Sequence, residues 1–339
     1  FEQVINELEH DFFSNGLFPN GYRGFDSSVF WRDGSYVAGA AAVELARLER
    51  SKSELDVNTF RKWLAKASRY FGDINAKFSE PINREIYDLM LNEDKSFDEA
   101  LELAGRGASA PFEDEIFYNA FFYSAEVEWL RAIHVDPANA LSDDVLDALQ
   151  RAQGILEGLS VKLKPVERRQ RLVGGDSLTF PDMARLTRYR YADTVYLRAR
   201  TLRDRELSNF RSTADEQIRL DPTATPVFQM SRDTHDLYLL AERSYNEAEK
   251  FDDQTYLAVF ARVQRLNIYR AMAQGGPVKE RAAYSQRAET LLNRSDTTLT
   301  AMPDEAFANA PEGMRRSDWE QYFSWYRNFD SLNPSSAGS

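Results

Sequence analysis

A chain of 339 residues with 43% apolar and 13% aromatic side chains has the material for a sizeable core, and Ala, Leu, Arg and Glu outweigh Val and Ile in it, which favours helices over strands. The net charge of −12 argues against a general nucleic-acid binder, since phosphate contacts need a clustered basic surface. With no cysteine and only His10, His134 and His235, far apart in sequence, disulfides and thiolate sites are excluded, and neither a metal nor a cofactor is expected.

The first predicted helix runs from Glu2 to Phe13, with Val4, Ile5, Leu8 and Phe12 on one face, and ends at the loop SNGLFPNGYRG. The second is expected from about Gly34 to Arg50, with Asp33 as its N-cap. Its run Ala38-Gly39-Ala40-Ala41-Ala42 lets the helix lie close to its neighbours. In DVNTFRKWLAKASRYFGDINAKF, the residues Phe60, Trp63, Leu64, Ala67, Tyr70, Phe71 and Ile74 form one stripe, and Asp56 or Asn58 supplies the cap. Pro81 breaks the pattern, shorter helices follow around 82–91 and 96–104, and GRGASAP is a loop.

Long helices are expected at 113–134, 142–162, 181–203, 204–220, 232–250, 254–274 and 278–300. Their short connectors, rich in Asp, Pro and Gly, suit antiparallel neighbours. Pro165, Pro222 and Pro303 read as helix ends. Ala192, Ala199, Ala241, Ala248, Ala261 and Ala271 allow close approach, while Tyr191, Tyr196, Tyr245 and Tyr269 fill the gaps. A last amphipathic helix, SDWEQYFSWYRNF, is suited to docking on the final pair. Residues 1–110 form an irregular N-terminal helical region continuous with hairpins over 111–330, and 331–339 read as a disordered tail.

Ala125, Trp129, Ala132 and Pro137 have the spacing of small-x3-aromatic-x2-Ala-x4-Pro, and AIHVDPAN closes the helix. This segment resembles the second helix of a tetratricopeptide repeat, with a poorer copy at EQIRLDPTA. Its first-helix signature is missing, because Ser109, Phe112, Glu113 and Ile116 stand at the signature positions. The resemblance implies an all-α solenoid of antiparallel hairpins whose concave face binds a partner protein, a peptide or a small ligand. In architecture and size the chain also resembles the accessory T component that works beside a periplasmic solute-binding protein.

Two groups of residues are candidates for a site. Twelve Lys and Arg stand among six acids between residues 160 and 210, and Arg185, Arg188 and Arg198 can turn to one side of their helix. Arginines bind carboxylates bidentately, so this group fits an anionic ligand or acidic partner, although it also fits solvated faces paired to Asp193 and Glu206. The second group is Trp31, Arg32, Asp33 and Tyr36. A Trp-Arg-Asp turn at a helix start resembles the substrate-contacting turn of glucoamylase-like glycosidases, which are all-helical toroids. That implies two carboxylates in opposed roles, and Glu126 and Glu128 are among those available.

The expected function is a non-enzymatic scaffold or recognition protein with no catalytic residues. Its alternative is an all-helical glycosidase-like enzyme or carbohydrate binder. No apolar run is long enough to span a bilayer. The start at Phe1 fits a trimmed chain or a mature one whose leader is gone; export, to the periplasm or otherwise, is expected, with room for a lipid anchor on a removed leader, and a cytoplasmic location is the alternative.

Overall fold

The computed structural model describes residues 1–9, 29–52, 54–78, 89, 95, 99, 103, 115–133, 139–173, 179–251, 255–308, 310 and 313–332, with backbone alone at 7, 29–33, 76–78, 115, 117, 164–173, 179–182 and 328–332. Ten α-helices order these residues: α1 Glu2–Glu7, α2 Val29–Arg50, α3 Val57–Phe78, α4 Glu115–Ile133, α5 Asp143–Val173, α6 Thr179–Leu220, α7 Arg232–Phe251, α8 Tyr256–Gly275, α9 Arg281–Ala301 and α10 Arg316–Leu332. No strand occurs among the described residues. The chain divides into two compact units, Phe1–Ala140 with Gln150–Ala184 and Leu141–Leu149 with Arg185–Ser339.

In the first unit α3 packs against both α2 and α4. All seven apolar residues of the expected α3 stripe are buried. Of the two candidate caps, Asp56 serves: its Oδ1 accepts the backbone N–H groups of Asn58 at 3.0 Å and Thr59 at 3.2 Å. Two donors that the helix cannot satisfy internally are thereby paired.

The small residues of α2 do what their size suggests. Ala38 and Ala42 are fully buried, and a methyl group built on Gly39 meets the ring of Phe71 at 2.7 Å. Edge-on contacts of Tyr36 with Phe71 and Tyr123, and the stacking of those two rings 5.3 Å apart, complete the junction of α2, α3 and α4. At the end of α1, Glu9 accepts from Lys66 Nζ at 2.7 Å and Tyr70 OH at 2.6 Å, tying the N-terminal segment to α3.

Several expectations are corrected. Helix α2 begins at Val29, so Asp33 has a helical backbone inside the element and cannot be the N-cap, a position that needs non-helical dihedrals. Ile5 is buried but Val4 is 37% exposed, outside the face assigned to it. Helix α5 runs through Pro165 to Val173. Pro165 cannot bond the carbonyl of Val161, but Val161 is exposed, so water can take that carbonyl. Residues 181–203 and 204–220 form one uninterrupted helix, α6, because Leu202-Arg203-Asp204-Arg205 contains no breaker and Arg200 pairs with Asp204 one turn on. Apart from residues 89, 99 and 103, which are helical, the helices expected at 82–91 and 96–104 lie outside the described residues, as do Phe12, His134 and Pro137. Of the tail expected at 331–339, residues 331–332 belong to α10 and the rest lie outside the described residues.

In the second unit α8 packs against both α7 and α9. Tyr238, Ala241, Tyr245 and Ala248 of α7 share one core with Ala261, Leu266 and Met272 of α8 and Tyr284, Leu292 and Leu299 of α9. Helix α10 closes it: Trp319, Phe323 and Tyr326 are buried, and Tyr322 OH donates to Asn267 Oδ1 at 2.9 Å. The Arg316 guanidinium donates to the carbonyls of Leu299 and Met302, taking up free acceptors at the end of α9.

Two outcomes follow. Gly39→Ala should destabilise the first unit by about 1–3 kcal/mol in denaturant unfolding, and pairing it with Phe71→Leu should recover part of that loss. Hydrogen bonds from the Thr59 hydroxyl, the Thr59 amide and the Asn58 amide hold the Asp56 carboxyl below its ordinary range. With the folded value depressed, the cap contributes fully above the unfolded value of about 3.9 and fades as pH falls through the folded one. Asp56→Ala should therefore lower the melting temperature at pH 7 and lose that effect in strong acid.

Candidate functional site

Helix α8 places Arg262, Arg265 and Tyr269 on one face by their i, i+3, i+7 spacing. Across the α7–α8 hairpin these side chains meet Glu249 and Glu242. Arg262 Nε donates to Glu249 Oε1 at 2.7 Å, and Arg265 donates through Nη1 to Glu249 Oε2 at 2.8 Å and through Nε to Glu242 Oε1 at 3.0 Å. Tyr269 OH donates to Glu242 Oε1 at 2.7 Å. Contacts descend α7 as they ascend α8, the mark of antiparallel neighbours.

These ion pairs are largely desolvated, the side chains of Arg262, Arg265 and Glu249 each retaining 14% exposure. Burial disfavours the charged form of Arg265, yet the fields of Glu242 and Glu249 outweigh it and hold the guanidinium above its ordinary range. The Tyr269 hydroxyl is pushed up by burial first and then by its hydrogen bond to Glu242.

On the other side of this network α9 presents Arg287, Leu291 and Arg294, again at i, i+4, i+7. Two adjoining clefts of about 630 and 440 Å³ lie between α9 and the α8 arginines, and both are lined by Arg265, Leu291 and Arg294. Together they form one groove with four arginines and a single glutamate, Glu249, in its walls. Arg287 and Arg294 are exposed and form no ion pair among the described residues. Arg262 Nη1 is buried without a hydrogen-bond partner among them. Such a surface has unspent donors for an anion, inside an acidic chain.

The residues singled out in the sequence lie elsewhere. Trp31, Arg32 and Asp33 form the first turns of α2, and their side chains lie outside the described residues. Tyr36 is half-buried in the aromatic junction with Phe71 and Tyr123. Arg185 and Arg198 are half-buried on α6, and the Arg188 guanidinium lies 3.9 Å over the ring of Phe251. Other members of that basic segment are engaged: Arg190 with Asp193, Arg203 with Asp204 and Gln274, and Arg205 with Asp143. Glu206 is not an arginine partner here; it accepts from the Ser231 amide at 3.0 Å and the Thr234 hydroxyl at 2.8 Å at the start of α7.

Glu126 and Glu128, the carboxylates available for a hydrolytic pair, are buried against arginines. Arg47 Nη2 donates to Glu126 at 3.1 Å, and Arg131 and Arg151 both donate to Glu128. Among the described residues no group of His, Asp and Glu could hold a metal ion, and no helix is long and apolar enough to cross a membrane.

The groove arginines do not raise the local charge of their segment, because α9 carries Glu289 and Asp296 beside Arg287 and Arg294. Their seven-residue spacing is the signal that separates them. Comparison with protein-family models, with curated proteins and with solved structures gives no match.

Arg265→Leu should leave Glu242 and Glu249 desolvated without their shared donor and cost about 3 kcal/mol in chemical denaturation. Arg294→Leu, at an exposed position, should stay within about 0.5 kcal/mol of the parent.

Proposed function

We propose that this chain is a non-enzymatic recognition protein of tetratricopeptide-like helical hairpins, holding a partner protein or small anionic ligand in the groove of α7 to α9. The observation that carries this reading is the pair Arg287 and Arg294, exposed and without an ion-pair partner among the described residues, beside a floor whose own charges are already neutralised. Other arginines of the unit are held by carboxylates, as Arg262 and Arg265 are, by carbonyls, as Arg316 is, or close over a ring, as Arg188 is, whereas Arg287 has only the Tyr284 ring 5.6 Å away and keeps its N–H donors. A planar guanidinium at a cleft edge offers forked donors that match a carboxylate or phosphate.

Acid–base chemistry finds less support. A carboxylate acting on a substrate has to face the reacting group, whereas Glu126, Glu128, Glu242 and Glu249 face arginines.

Parallel co-purification with the parent protein and the Arg287→Glu/Arg294→Glu variant as baits tests the assignment. A partner or ligand should be recovered with the parent, released by salt, and absent from the variant. Equal recovery with both baits removes the groove from consideration.

A further inference from the structure

The α9 wall of the groove carries threonines as well as arginines, and their hydrogen bonds narrow the choice of ligand. Thr290 Oγ1 donates to the Gln286 carbonyl at 2.8 Å, Thr297 Oγ1 to Asn293 at 3.2 Å and Thr298 Oγ1 to Arg294 at 3.0 Å. Each hydroxyl hydrogen is therefore spent on the helix's own backbone, and what remains is lone pairs, which only accept. Along one wall the groove thus alternates guanidinium donors with hydroxyl acceptors. A fully ionised anion such as a free carboxylate can use the donors but has no proton to give the acceptors, and a hydrogen phosphate has only one or two. A peptide has both, carboxylates on its side chains and N–H groups along its backbone.

Length points the same way. Lining residues on α9 run from Ala283 to Thr298, roughly 22 Å at a helical rise of about 1.5 Å per residue. An extended chain covers that distance in about seven residues. Arg287 and Arg294 lie about 10 Å apart along the axis, within reach of acidic side chains two to four residues apart on such a chain. A single small anion would occupy a fraction of this length.

We infer that the occupant is an acidic, extended segment of a partner protein, its carboxylates on Arg287 and Arg294 and its backbone N–H groups on the threonine oxygens. This rests on the recognition reading above and adds the ligand's chemistry to it.

The probe is a fluorescent peptide of about eight residues alternating Glu and Gly, long enough for the groove, with a Gln–Gly counterpart and inorganic phosphate as comparisons. Anisotropy titrations use the full chain, with circular dichroism confirming that each variant is folded. The Glu peptide should bind saturably and weaken about tenfold or more in Arg287→Glu and in Arg294→Glu, the scale of one charge-assisted hydrogen bond. Thr290→Val should weaken it about threefold or more, and Thr290→Ser, which keeps the acceptor, should leave it unchanged. If phosphate binds in an Arg294-dependent way while the Glu peptide binds no better than its Gln counterpart, the peptide assignment is wrong and the groove is a small-anion site. If neither probe binds, the recognition reading falls with it. Equal affinities of Thr290→Val and the parent for the Glu peptide would also overturn the backbone contacts proposed here.

Discussion

A single guanidinium, that of Arg265, holds two glutamates of the neighbouring helix at once, and the groove depends on it. Glu242 and Glu249 stand two helical turns apart on α7, roughly 10 Å along its axis, and Arg265 bonds to both from a side chain that keeps 14% of its exposure. Bringing these charges out of water is costly, and attraction offsets the cost only in one alignment of the two helices. A slip of one residue along either helix would leave a buried carboxylate unmatched. The alignment that satisfies Arg265 also directs Arg262 and Tyr269 to the same side, and so forms the floor against which Arg287 and Arg294 stand.

Buried glutamates are paired to arginines in the first unit as well, but one by one. Glu126 and Glu128, two residues apart on α4, bond to arginines of different elements, Arg47 of α2 for the first and Arg151 of α5 for the second. Around them lie interfaces made smooth by alanine, such as Ala38, Ala42, Ala67 and Ala125, all fully buried. Alanine lets backbones approach but offers little relief for ridges and grooves to engage. We attribute the division of labour to that: small residues provide proximity, and arginines paired to buried carboxylates select the register.

How far the structure can be read from residues alone differs from element to element. The α3 stripe is plain because large apolar side chains recur at helical spacing, and every one of them is buried. The close approach at Gly39 is equally plain, since a glycine inside an alanine run has few other uses. Arg203-Asp204-Arg205-Glu206 looks like a connector because it is polar throughout, yet none of these residues opposes a helix, and α6 passes through them. Pro165 is a local stop signal that the longer helix overrides. The groove is the least legible feature: its arginines are spread over two helices, mixed with acids that point elsewhere, and come together only when α8 and α9 fold against each other. Local charge density highlighted α6 instead, where several arginines are engaged by neighbouring carboxylates or an aromatic ring.

The last turns of α6 differ from the rest of the second unit. From Arg211 to Leu220 every residue but Ala214 is exposed, including Ile218 and Leu220. With so little buried apolar surface, this stretch is held mainly by propagation from the anchored turns before it. Such a stretch opens at smaller free-energy cost than a helix like α8, whose face is packed between α7 and α9. Residues 221–231, which lead from α6 into α7, therefore leave from a thinly packed helix end and arrive at a packed one, where Thr234 and His235 are buried. They are tied down before they reach α7: the Phe228 carbonyl accepts from Arg281, the Met230 amide donates to the Gly275 carbonyl at 2.7 Å and Ser231 bonds to Glu206, so three fixed contacts separate the thinly packed turns from the groove.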